Sequence, residues 1–188
     1  MNLSDEDIVE GVLAGGKELF TVLVDRYQRP VYNLMYRYSR NTEEAADLTQ
    51  EVFVRSFHRL KSFRAGNTFF PWLYGLAINQ ANDWSRSRAR QRVKLESYGK
   101  HLRQEAPGEQ QSMMESRETG RVVDLALARL PEETRELLIF RYRHERSIRE
   151  AATVFDLSES AVKMRIKRGL DALQEVLQRM GFYESQAI

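Results

Sequence analysis

Three features of this 188-residue sequence predict an all-α protein, built as two small helical domains joined by a flexible linker. Apolar residues recur at helical spacing over most of the chain, and no strand-like alternation persists anywhere. The tract 98–119 lacks that period, is polar and contains Pro107-Gly108, a turn signal. Residues 147–173 then show two short helical patterns separated by a tight polar break. These features set the domain boundaries at 1–97, a linker at 98–119, and 120–188.

Each element has a local reason. Ser4 with Asp7 makes a capping-box pattern ahead of Ile8, Val9, Val12 and Leu13, and Gly15-Gly16 stops that helix. Leu19, Phe20, Leu23, Val24 and Tyr27 form the next stripe. Pro30 suits a kink or the first turn of a new helix, with Val31, Leu34, Met35 and Tyr38 beyond it. Asn41 and Glu44 cap a helix whose inner face is Ala45, Leu48, Val52, Phe53, Phe57 and Leu60. Its outer face carries Asp47, Gln50, Glu51 and Arg55. Gly66-Asn67 marks a loop over 62–68, and one long helix runs from 69 to about 92. After the linker, order resumes at Arg121, with Val122, Leu125, Ala126 and Leu130 on one side. Pro131 opens a further helix at its first position, and Leu137, Leu138 and Tyr142 face inward.

Residues 147–173 read as a helix-turn-helix. Ser147 with Glu150 is a capping box, and Ala151, Ala152 and Phe155 share a face. Ser158 is a good N-cap for the second helix, which buries Ala161, Val162, Ile166 and Leu173. Lys163, Arg165, Lys167 and Arg168 turn outward. A dense basic face after a tight turn is the layout that enters a DNA major groove; the plainer alternative is a solvated basic face on a helix hairpin.

Bulk properties narrow the classes. A net charge of +2 excludes a uniformly basic coat, so any nucleic-acid site must come from local clustering. The absence of cysteine removes disulfides, thiolate zinc sites and thiol nucleophiles, and suits a reducing cytoplasm. The acidic start MNLSDEDIVEG is neither a signal peptide nor an anchor, and no apolar run suggests membrane insertion.

Charge is segregated along the first half. Acids outnumber bases up to Leu60. From there to Lys94 the only acid is Asp83, against Lys61, Arg64, Arg86, Arg88, Arg90, Arg92 and Lys94. Phe69, Phe70, Trp72, Tyr74 and Trp84 lie beside this run. Aromatics next to a basic groove stack on unpaired bases, but large rings are also core material, which is the better reading of Phe69 and Trp72. Asn79 and Asn82 are helical asparagines whose amides suit a base edge or plain solvent.

These residues together resemble the extracytoplasmic-function group of the sigma-70 family of bacterial transcription initiation factors. Asp47-Leu48-Thr49-Gln50-Glu51-Val52-Phe53 is similar to that family's core-polymerase-binding helix. Ser62-Phe63-Arg64, Phe70-Pro71-Trp72-Leu73-Tyr74 and Ala77-Ile78-Asn79 are similar to its promoter −10 region. Leu130-Pro131-Glu132 and the helix-turn-helix are similar to its −35-reading domain. The sequence departs from the family in two places. Arg143-His144-Glu145-Arg146 and Glu150-Ala151-Ala152 replace a frequent glycine and a glutamate-isoleucine-alanine run, and the linker has mixed charges where an acidic block is common.

The resemblance implies specific roles. Asp47, Gln50 and Glu51 would contact core RNA polymerase. Phe63, Arg64, Asn67, Trp72, Tyr74, Asn79 and Arg86 would hold the melted −10 strand. Ser158, Lys163, Met164, Arg165, Lys167 and Arg168 would bind −35 duplex DNA, with Arg165 and Arg168 nearest the base edges and Lys167 on phosphate. It further implies an inhibitory anti-sigma partner and a cytoplasmic location. A free-standing helix-turn-helix regulator explains the second half equally well and leaves the basic-aromatic segment unexplained. An enzyme has little support: His58, His101 and His144 are scattered, and no HExxH, phosphate loop or nucleophile elbow occurs. Glu43, Glu44, Asp47 and Glu51 as metal ligands compete with the commoner solvated helix face. No catalytic residue, metal or cofactor is therefore expected.

Overall fold

The computed structural model describes residues 3–63, 68–97 and 118–182, without the side chains of 95–97 and 118–119. Every regular element among them is helical. The chain divides into two compact units, residues 1–108 and 109–188.

In the first unit, helix α1 (Asp5–Leu13) starts at a complete capping box. The Ser4 Oγ accepts the Asp7 N–H at 3.1 Å, and the Asp7 carboxylate accepts the Ser4 N–H at 3.1 Å. The Ser4 hydroxyl also donates to the Asp7 carboxylate at 2.7 Å, and this bond, with the one from the Ser4 N–H, holds the Asp7 carboxyl below its ordinary value of 3.8 by favouring the charged form. Such a cap contributes about 1 kcal/mol. The helix stops at Ala14, and Gly15 follows at φ 115°, a conformation that side chains rarely adopt. A 3-10 turn, Lys17–Leu19, leads into α2 (Phe20–Ser39).

Pro30 lies inside α2, which runs on through it. The ring forfeits the bond to the Arg26 carbonyl, a loss of about 3 kcal/mol or more in an isolated helix. Burial of Leu23, Val31, Leu34 and Met35 along one continuous stripe outweighs it. Helix α2 ends at Arg40, which is left-handed at φ 56°. Asn41 then caps α3 (Thr42–Arg59), its Oδ1 accepting the N–H groups of Glu43 and Glu44 at 2.9 and 3.0 Å. Helix α4 (Phe69–Ser97) runs about a turn beyond the end expected from its apolar pattern.

Helix α2 packs against α1, α3 and α4. Leu34, Met35, Leu60, Phe69, Leu73 and Tyr74 are wholly buried around it. Polar ties pin the rest. Arg26 pairs with Asp5 at 2.7 Å, Arg88 of α4 pairs with Glu44 of α3, and Gln80 of α4 donates to Glu51 of α3.

The second unit contains α5 (Glu118–Leu127), α6 (Glu132–Leu138), α7 (Ile148–Val154) and α8 (Glu159–Arg179). Helix α5 begins two residues inside the stretch expected as linker, and residues 98–117 lie outside the described ones. The Ser147–Glu150 capping box forms, with bonds of 3.1 and 2.8 Å, and Ser158 accepts the Ala161 N–H at 3.2 Å.

Two inward expectations fail here. Tyr142 is 52% exposed because the chain winds a π-turn over Ile139–Arg143. The wider turn inserts a residue and rotates the succeeding side chains by about 100°. Leu125 is 59% exposed, while Ala126, Leu127 and Leu130 are buried. Leucines at both 125 and 127 offer two competing stripes, and packing on α8 selects the second. Gly169 of α8 sits against α6: a Cβ there would lie 2.7 Å from the Thr134 methyl.

Candidate nucleic-acid interface

Helix α3 carries an exposed polar face, but its members do different things. Asp47 faces solvent. Gln50 edges an open groove of about 1030 Å³ between α2 and α3, floored by Val24, Phe53 and Phe57, with Tyr32 and Val54 at its sides. Glu51 is exposed yet accepts the Gln80 amide from α4. The groove is absent from the sequence expectations. Its one signal is Val54, an apolar residue four after Gln50 on an otherwise polar face, which is 51% exposed.

A smaller hollow of about 280 Å³ lies between α3 and α4, lined by Val52, Arg55, Arg59, Leu76, Asn79 and Asp83. Asn79 is exposed at its rim. Arg55 and Arg59 bring cations to it from 20 residues or more upstream, a pairing that sequence order hides. They stand i, i+4 on one face, so helical spacing was the available clue.

The aromatic segment separates into wet and dry parts. Phe63 and Trp72 are half-buried and meet edge to face, with ring centres 5.6 Å apart. Phe69 is wholly buried beneath both. Tyr74, expected at the strand-binding surface, is also wholly buried. It points into the core against Phe70 and takes a 3.5 Å contact from Arg37 at its hydroxyl, so it supports the surface from below. Asn82 is half-buried, its Oδ1 accepting the Tyr38 hydroxyl at 3.4 Å.

Arg86 is exposed, 3.8 Å from Asp83. Arg88 lies over the Trp84 ring, 5.5 Å from its centre, and is held by Glu44. Arg64 and Asn67 lie outside the described residues.

On α8, Lys163, Met164, Lys167 and Arg168 are exposed. Arg165 is not part of that front. It is half-buried and pairs with Glu133 of α6 at 2.9 Å. Ser158 caps the helix at the end where base contacts begin in helix-turn-helix domains.

The carboxylates weighed as metal ligands have other partners in Glu44 and Glu51, and no metal-holding group of three or more such side chains occurs among the described residues. No helix among those residues is long and apolar enough to cross a membrane.

Two family models match the chain, sigma-70 region 2 over residues 23–91 and sigma-70 region 4 over residues 121–173. The chain is 31% identical to the RNA polymerase sigma-H factor of Pseudomonas aeruginosa, covering 93% of this chain and 94% of that one. It is 32% identical to the ECF RNA polymerase sigma-E factor of Haemophilus influenzae, covering 94% and 96%. Among solved structures, CnrH in complex with the cytosolic domain of CnrY matches with a TM-score of 0.67 at 23% identity, over 93% of this chain and 97% of that one. The sigma factor RpoE of Bartonella quintana, solved with the anti-sigma factor NepR, matches with a TM-score of 0.66 at 23% identity, over 85% and 96%.

Proposed function

This chain belongs to the extracytoplasmic-function group of the sigma-70 family, and from that membership we propose how its parts divide the work of transcription initiation. The protein binds core RNA polymerase and directs it to promoters. It works by binding and carries out no chemistry of its own, and its place is the cytoplasm, where polymerase and promoter are.

The first unit holds polymerase and the melted −10 strand. Gln50 and Asp47, with the apolar groove beside them, form the polymerase contact, and Glu51 supports that face through Gln80. The strand lies along α4. Asn79 reads a base edge at the hollow, Arg55, Arg59 and Arg86 meet phosphate, and Phe63 and Trp72 offer a stacking surface beside Arg64 and Asn67. The second unit reads −35 duplex DNA with the exposed face of α8, and Ser158 sets the helix end. Residues 1–97 and 120–188 act as the two domains, with 98–119 as the linker. An inhibitory anti-sigma partner belongs to the same reading, in line with the Bartonella quintana RpoE complex.

The observation that carries this reading is the order of two distinct surfaces on one chain. A hollow with asparagine, arginines and nearby half-exposed rings precedes a capped basic helix. Run-off transcription with purified core polymerase and a promoter library tests it. Promoter-specific transcripts should require the chain. Duplex binding without polymerase, together with no transcripts under any promoter, would replace the sigma reading with that of a free-standing regulator.

A further inference from the structure

Met164 stands out on the exposed face of α8. Its side chain is 53% exposed, although a thioether gains nothing from water. Helical spacing makes its position central. Val162, Ile166 and Gly169 define the buried side, and Ser160, Met164 and Lys167 fall opposite. Exposed Lys163, Lys167 and Arg168 surround it. Arg165, the next residue along the helix, is drawn away to Glu133.

The cationic rim calls for a polyanion, and the apolar centre calls for an apolar group on that polyanion's readable surface. In the major groove one base edge supplies such a group, the 5-methyl of thymine. Met164 lies six residues beyond the Ser158 cap, about 9 Å along the helix, within the first turns that reach base edges. Its unbranched side chain adapts to a small methyl target better than a β-branched one.

We propose that Met164 is a specificity-determining residue that packs on the 5-methyl group of a thymine in the −35 duplex. This rests on the reading that the second unit binds −35 DNA. Lys163, Lys167 and Arg168 hold phosphates and neighbouring base edges around that contact, and Met164 adds a preference that charge alone cannot supply.

The test uses holoenzyme assembled from core polymerase and the full chain. Preferred −35 sequences are selected from randomised duplex promoters, and each −35 thymine on either strand is then replaced singly by uracil. That exchange removes the methyl group and keeps the pairing. One replacement should weaken holoenzyme binding about fourfold, which corresponds to about 0.8 kcal/mol for one buried carbon. Met164→Ala should abolish that sensitivity, and Met164→Leu should retain it. Both variants should melt like the parent, since the side chain is exposed.

Uracil tolerated at every position, with sequence selection intact, would overturn the thymine contact and spare the −35 reading. So would a selected element with no thymine on either strand. An unchanged methyl effect in Met164→Ala would assign the contact to another side chain and overturn the proposal. Absence of any −35 selection would overturn the underlying reading and this contact with it.

Discussion

Arg165 and Arg168 stand three residues apart, yet one is tied to Glu133 and the other is exposed. Sequence spacing placed both on the DNA side, because the partner of Arg165 lies 32 residues upstream on another helix. Only packing of α6 on α8 reveals it. Arg165→Ala should therefore cost at most about 1 kcal/mol of stability, as for a partly exposed pair, and leave base preference unchanged. Lys167→Ala should weaken binding to all sequences alike and lower the salt slope by about one unit. Titrations of a −35 duplex panel at several salt concentrations separate the two outcomes. Asn79 belongs to the same scale. Asn79→Ala should reduce open-complex formation, read by permanganate footprinting, while polymerase binding and −35 binding persist. Normal melting would return Asn79 to the ordinary surface. The caps at Ser4, Asn41, Ser147 and Ser158 were legible from sequence because each depends on residues three positions apart. The burial of Tyr74 was not, since an amphipathic ring beside arginines suits either a wet or a dry site.

Helix boundaries show the same division between local and distant causes. The starts of α1, α3, α7 and α8 follow from their capping residues. The passage of α2 through Pro30 follows from three neighbouring helices that compensate for one missing bond. The π-turn at Ile139–Arg143 has no compositional signature, and it alone moves Tyr142 from the expected core to the surface. Gly169 gives this scale its prediction. A methyl group there would meet Thr134 at 2.7 Å and Leu138 at 3.3 Å, on side chains that branch close to the α6 backbone. Gly169→Ala should gain up to about 1 kcal/mol in helix propensity and lose about 1–3 kcal/mol to overpacking. Urea denaturation should show a net loss. Gly11→Ala is the contrasting case, because its close neighbour is the mobile end of Leu19. It should be tolerated far better.

For the whole molecule, the paired organisation is written in the order of the residues: an acidic-then-basic first half, a patternless tract, a helix-turn-helix. Mild proteolysis should cut first within 98–119 and leave two stable fragments. Early cuts elsewhere would count against that boundary. The surface proposed to meet polymerase combines a local and a distant cause. Its polar residues announced themselves, whereas the groove joins α2 and α3 side chains that no local pattern links. Gln50→Ala and Val54→Glu should each weaken core binding without changing the helical circular dichroism spectrum. The charge should cost more, because it desolvates an ion against an apolar partner.

That same open trough also sets how the free chain behaves between engagements. An uncovered apolar channel of this size is a liability in a crowded solution, since it attracts any loose greasy segment, including one from a sister chain. Purified protein should scatter more light as concentration and sulfate rise, and Val54→Glu should suppress the scattering while also disabling the factor. Under the proposed polymerase contact, tight association and good shelf life oppose each other in one strip of surface, so improving one degrades the other.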